Sequence, residues 1–270
     1  MSIISARLVL SGAAKRGRID RMHDPIDDWR ILPDDRGVEA DEVHVWRVAL
    51  DRPEAGARRC FHVLSADELV RLERLHFEQD RFRFAAGRSA LRTILGRVLG
   101  EAPARLAFEY AENGKPRLAH RPSKDQLEFN VSHSHSLALV AVARSRRVGV
   151  DVEQLREMAD LGEIVERFFS RHERAAFAEI DRDQRTEAFF RGWVRKEAVL
   201  KVIGAGMSLP LDSFDVALTP GEPAMLLRID GPPGEAQRWK LADLNPAPGF
   251  VGALAVEGAG WRLVEREFGE

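Results

Sequence analysis

The stretch Val148-Gly-Val-Asp-Val-Glu153 sets two carboxylates two residues apart in a segment otherwise made of valine and glycine. Side chains alternate along a β-strand, so Gly149, Asp151 and Glu153 share one face while Val148, Val150 and Val152 share the other. Residues two apart on one face sit roughly 6 to 7 Å from each other. Both acids can therefore reach a single cation, and they repel when nothing lies between them. A glycine on the same face marks a place where a ligand or another backbone can come close. A solvated polar face on an amphipathic strand fits the same spacing.

Two further groups bear on that choice. Trp193-Val-Arg-Lys-Glu-Ala-Val-Leu-Lys201 reads as helix, with Glu197 and Lys201 on one face at i,i+4 and Trp193 one turn earlier. As a surface ion pair this is worth about a few tenths of a kcal/mol. If Glu197 instead joins Asp151 and Glu153, the three carboxylates make a hard oxygen site suited to magnesium, which keeps positions for substrate phosphates and water. Lys201 is then left to meet a phosphate. Phe129-Asn-Val-Ser-His-Ser-His-Ser136 ends a strand with hydroxyl and imidazole donors. No Gly-x-Ser-x-Gly elbow surrounds Ser132 or Ser134, and neighbours in a strand face opposite ways, so Ser132 is poorly placed for activation by His133. As phosphate donors Ser132 and His133 need no such pairing.

The elements that must position these groups are legible. A strand is expected over 43–50, then a capping box from Ser65 to Glu68 and a helical region to about Gly100. Between Arg71 and Arg97 that region holds seven arginines against Glu73, Glu78 and Asp80. It reads either as a solvated helix face or as a surface for phosphate or an acidic protein. Asn113-Gly114, before Lys115 and Pro116, is a hairpin signal. Strands follow at 127–131, 137–143 and 148–152. The second half offers a helix at 161–169, a capping box from Ser170 to Glu173 and a long helix over 185–203 stopped by Gly204 and Gly206. Strands return at 213–218, 239–244, 249–257 and 261–267. Helix-rich segments alternating twice with groups of strands predict an α+β fold of two units: 41–153 and 154–270, after a loosely ordered extension over 1–40.

The chain of 270 residues is 44% hydrophobic, enough for a sizeable core. Lys and Arg total 41 against 43 Asp and Glu, so no global field recruits nucleic acid or membrane. Cys60 stands alone, which excludes an internal disulfide and fits a reducing cytosol. The longest apolar run, 137–143, is far short of the roughly 20 residues of a membrane helix. A cytoplasmic protein is expected.

Taken in order, FNVSHS (129–134), GVDVE (149–153), RFF-Ser-x-x-Glu (167–173) and FFRGWVRKEAVLKVIGAGMSLPLDSF (189–214) resemble the signatures of 4'-phosphopantetheinyl transferases of the broad-specificity, surfactin-synthetase-activating type. The resemblance covers about residues 64–214. It implies a monomeric pseudo-dimer of two similar α+β halves, with coenzyme A and Mg2+ in the cleft between them. It implies transfer of the phosphopantetheine arm of coenzyme A to a serine of an acidic acyl or peptidyl carrier protein, releasing adenosine 3',5'-bisphosphate. Carried over by motif, Asp151, Glu153 and Glu197 bind the metal, Asp151 also lying against the coenzyme, and Lys201 lies near the pyrophosphate. Lys115 and Pro116 touch the nucleotide, Ser132 and His133 meet the phosphates, and Arg71 and Arg83 hold the 3'-phosphate. Glu68 stands where the family pattern has a lysine. For the base that takes the serine proton, Glu197 is the first expectation and Glu173 the rival. A catalytically silent relative that only binds carrier or coenzyme A, or a carrier-independent magnesium phosphodiesterase, would use the same acids.

Overall fold

The computed structural model describes residues 37–51, 60–110, 115–119, 127–204 and 206–269. Most of the extension expected over 1–40 and the Asn113-Gly114 turn lie outside the described residues. Within them the chain is α+β, built twice on one plan.

In the first half a strand, β1 (Glu42–Ala49), leads to helices α1 (Ala66–Glu73) and α2 (Glu78–Leu99). A short ribbon follows, β2 (Phe108–Tyr110) with β3 (Pro116–Leu118), then the hairpin β4 (Leu127–Ser134) and β5 (Leu137–Arg144). In the second half β6 (Val148–Gln154) leads to α3 (Leu161–Phe168), α4 (Arg171–Ala178) and α5 (Arg185–Ile203). The ribbon is β7 (Phe214–Val216) with β8 (Leu226–Ile229), and the hairpin is β9 (Trp239–Leu244) with β10 (Phe250–Glu257). The strand orders match as well: β1-β5-β4 in one sheet and β6-β10-β9 in the other, with every one of these neighbours antiparallel. That shared order makes the molecule a pseudo-dimer.

The division near residue 153 does not follow the sheets. β6 pairs with β10 and so belongs wholly to the second half, which moves the junction to the short link between Arg144 and Val148. The last strand, β11 (Arg262–Glu267), returns to the first sheet and runs parallel to β1. Strand pairing over that distance has no local signature in sequence. β8 was not anticipated either, being a short strand whose partner is ten residues upstream in the chain.

Four layers result. On the outside of the first sheet, Ala86, Ala90, Ile94 and Leu95 of α2 pack on Trp46, Val48, Val140 and Val142. Between the sheets Val43, Val45, Leu139 and Ala141 meet Val148, Val150, Val152 and Leu254. Beyond the second sheet, α5 lays Phe189, Phe190, Trp193 and Ala198 against Val251, Ala253 and Ala255. Each large aliphatic side chain so buried contributes about 1.5 to 3 kcal/mol. β5 reads as an unbroken apolar run because it is covered on both faces, seven of its eight residues being buried. α5 stops where expected, at Gly204 in the left-handed conformation (φ 78°).

Candidate active site

β6 is an edge strand of its sheet, and the alternation expected for it holds: its valines enter the layer between the sheets. The opposite face turns Gly149, Asp151 and Glu153 toward α5. Gly149 answers to a backbone rather than a ligand, since a Cβ there would lie 2.3 Å from the carbonyl oxygen of Ala198 and 2.5 Å from the amide nitrogen of Val202. Only glycine lets the helix lie this close. The contact falls on the turn of α5 that carries Glu197 and Lys201.

Asp151 and Glu153 are fully buried and Glu197 is 5% exposed. Lys201 Nζ lies 2.7 Å from Asp151 Oδ1 and donates also to the Val150 carbonyl at 3.0 Å. Ser132 Oγ donates to the same Asp151 oxygen at 2.7 Å, and Ser134 Oγ donates to Glu153 Oε2 at 2.8 Å. Arg156 NH1 stands 3.6 Å from that Glu153 oxygen. One oxygen of each acid, Asp151 Oδ2, Glu153 Oε1 and Glu197 Oε1, is buried and accepts no hydrogen bond from the described residues. A buried carboxylate oxygen left in this way is costly unless a cation or donor meets it. Among the described residues no group of three or more His, Cys, Asp and Glu side chains is arranged, as it stands, to hold a metal ion. An ion here would use those carboxylate oxygens and take the rest from water or substrate, which is the habit of magnesium. By donor chemistry three carboxylates with unbonded oxygens suit that metal, and the side chains would have to converge on it.

Around the acids, Lys115 Nζ donates to the Lys201 carbonyl at 3.2 Å. Burial holds the Lys115 ammonium below its ordinary pKa; Glu128 opposes this, and Arg117, Lys201 and Arg147 add repulsion. Pro116 opens β3 opposite Tyr110. Lys115, Pro116, Phe129, Arg147 and Ile203 line a cavity of about 540 Å³. His133, the next residue along β4, turns to the opposite side from Ser132 and is exposed. A larger hollow of about 650 Å³, between Ser170, Arg174 and Arg228, contains none of the three acids.

Several expected site residues have partners within the chain. Ser132, expected to meet the phosphates, is 6% exposed and donates to Asp151. Glu173 completes the capping box expected from Ser170, but its carboxylate is taken up by structure. It accepts from the Ser170 amide at 2.9 Å, from Lys196 Nζ at 2.7 Å and from the Val216 amide at 2.8 Å. With these bonds it ties α4 to α5 and β7. Arg83 is held by Asp51 through two bonds of 2.6 and 3.0 Å, and the Arg71 guanidinium lies 3.7 Å over the Tyr110 ring. Glu68, besides capping α1, is a fully buried acceptor for Arg88 and Arg92 at 2.6 and 2.7 Å. An acid in place of the family's lysine therefore faces inward, and the arginine-rich stretch is no single basic face. Asn130 and Ser134 escaped the sequence reading as site residues, although the alternation Asn130-x-Ser132-x-Ser134 was a usable signal that they share one side of β4.

Residues 147–254 match the model of the 4'-phosphopantetheinyl transferase superfamily, and residues 52–145 match that of the N-terminal region of a 4'-phosphopantetheinyl transferase. The two matches meet at the junction between β5 and β6. The chain is 42% identical to the 4'-phosphopantetheinyl transferase HetI of Nostoc sp., over 87% of this chain and 95% of that one. It is 30% identical to the 4'-phosphopantetheinyl transferase Sfp of Bacillus subtilis, over 64% of this chain and 76% of that one. The crystal structure of Thermotoga maritima holo-[acyl-carrier-protein] synthase aligns with a TM-score of 0.32 at 22% identity, over 41% of this chain and 62% of that one. With two family models covering most of its length and a relative matched almost end to end, the chain belongs to the 4'-phosphopantetheinyl transferase superfamily.

Proposed function

We propose that the protein transfers the phosphopantetheine arm of coenzyme A to a serine hydroxyl of an acyl or peptidyl carrier protein, with magnesium held by Asp151, Glu153 and Glu197. The observation that carries this reading is the meeting of Asp151, Glu153 and Lys201 where β6 and α5 of one half abut β4 of the other, with Glu197 buried one turn before Lys201 on α5. Bound there, the ion would neutralise the pyrophosphate of coenzyme A.

The chain's own groups supply the rest. Lys201 shares Asp151 with Ser132, and a pyrophosphate oxygen is a stronger partner for its ammonium than the Val150 carbonyl, so Lys201 can pass to the phosphate. Its charge then offsets the negative charge that grows on the leaving phosphate. Glu197 takes the proton of the carrier serine as its oxygen bonds to phosphorus and the bridging oxygen of the pyrophosphate departs with adenosine 3',5'-bisphosphate. The cavity beside Lys115 and Pro116 fits the nucleotide. Arg71, exposed on α1, is better placed than Arg83 to meet the 3'-phosphate, because Asp51 already engages Arg83.

Both halves of the cleft come from one chain, so a monomer is complete. Exposed Arg71 and Arg74 favour a carrier that is acidic where it docks, and raised salt should increase KM for the carrier more than for coenzyme A. No helix among the described residues is long and apolar enough to cross a membrane. A cytoplasmic setting suits the substrates and a chain whose one cysteine, Cys60, is buried. The test is mass spectrometry of apo carriers incubated with coenzyme A and magnesium, where each modified serine gains ~340 Da, the mass of the arm in such a group transfer. Asp151→Asn keeps an acceptor for Ser132 but loses the charge and should abolish the gain while remaining folded. A fully active Asp151→Asn protein would remove Asp151 from the reaction.

A further inference from the structure

The two halves meet here without a backbone ladder. β6 is an edge strand, and an edge leaves amide and carbonyl groups that must find partners if buried. β4 supplies them with side chains instead of backbone. Its alternate residues Asn130, Ser132 and Ser134 are 5%, 6% and 6% exposed and all turn toward β6. Asn130 Oδ1 accepts the Val150 amide at 2.9 Å, Ser132 donates to Asp151, and Ser134 Oγ accepts the Gln154 amide at 3.1 Å while donating to Glu153 Oε2 at 2.8 Å.

The direction of the Ser134 bonds has a consequence. Because its oxygen accepts a backbone N–H, its single proton is committed to Glu153 Oε2. That pins one oxygen of the carboxylate and leaves Oε1 as the one that can meet an ion. We infer that Ser134 is a positioning residue: it fixes the Glu153 carboxylate for the cation from the opposite half of the molecule, with Asn130 holding the strand that carries it. This inference rests on the proposed role of Glu153 as a metal ligand. Partners of this kind behind a ligand typically govern metal affinity by about 10- to 100-fold.

The test compares Ser134→Thr with Ser134→Val, two side chains of one shape that differ in the hydroxyl. The probe is manganese(II) alone, followed by electron paramagnetic resonance as free ion disappears on titration with protein, with thermal unfolding and coenzyme A binding as controls. Wild type and Ser134→Thr should bind manganese alike. Ser134→Val should bind it at least ~10-fold more weakly with coenzyme A affinity retained, and should fold but melt a few degrees early because the Gln154 amide loses its acceptor. Equal manganese affinity in the Thr and Val proteins overturns the assignment. So does a Val protein that fails to fold where the Thr protein folds, because the hydroxyl would then be structural. Wild-type protein that takes up no manganese at all would instead refute the reading of Glu153 as a ligand, a result separable from either of these.

Discussion

Replacing Gly149 by alanine tests the claim that one backbone contact sets the active-site geometry. The added Cβ would stand 2.3, 2.5 and 3.1 Å from the Ala198 oxygen, the Val202 nitrogen and the Lys201 carbonyl carbon. All three atoms are backbone, so no side chain can rotate away. To reach ordinary contact, α5 must retreat from β6 by about 1 Å, moving Glu197 and Lys201 relative to Asp151. Overpacking of this sort costs about 1 to 3 kcal/mol, which for a chain of this size lowers Tm by roughly 3 to 10 °C. A displacement of about 1 Å at reacting groups costs on the order of 100-fold in rate. We therefore expect Gly149→Ala to fold, melt a few degrees early and form holo carrier at about 1% of the wild-type kcat, measured by mass spectrometry at a temperature where both proteins are folded. A Gly149→Ala protein with unchanged Tm and kcat would refute the reasoning.

Three other outcomes are expected. Glu197→Gln keeps shape and loses basicity, so kcat should fall at least ~100-fold with coenzyme A affinity intact, whereas Glu173→Gln loses the charge facing buried Lys196 and should lower Tm while changing kcat only a few-fold; calorimetry and initial rates on both variants decide, and the reverse pattern moves the base to Glu173. Arg71→Ala should weaken coenzyme A more than dephospho-coenzyme A, and Arg83→Ala should not discriminate between them because Asp51 already engages that guanidinium; equal losses for Arg71→Ala remove it from the 3'-phosphate. Burial, aided by Arg266 and Arg262 and opposed by Glu42, holds the His44 ring below its ordinary pKa of 6.5. The unfolded chain then takes up a proton before the folded one, so Tm should drop as pH falls below about 6.5, less steeply in His44→Gln, and identical slopes would contradict this.

What the sequence disclosed depended on how local the cause was. The face of β6 that carries Asp151 and Glu153, the turn of α5 that carries Glu197 and Lys201, and the stop at Gly204 follow from periods of two and 3.6 and from a left-handed glycine, all written within a few residues. The Ser170-Glu173 capping box was equally plain, but its local explanation hid the second task of Glu173, since Lys196 and Val216 arrive from distant segments. Glu68 concealed Arg88 and Arg92 in the same way, which is why a run of arginines looked like a basic face. The return of β11 to β1 and the side-chain stitching of β4 to β6 depend on how the two sheets face each other, which no window of sequence records.

The proposed reaction passes the arm of coenzyme A, through the acids and Lys201 between the two halves, to a carrier serine. Its most direct measurement is the ratio of adenosine 3',5'-bisphosphate released to holo carrier formed, with carrier or magnesium omitted in turn. One bisphosphate is expected for each ~340 Da gain on the carrier, and neither product when carrier or metal is withheld. Bisphosphate released from coenzyme A in the absence of carrier would contradict it and make the same acids those of a phosphodiesterase.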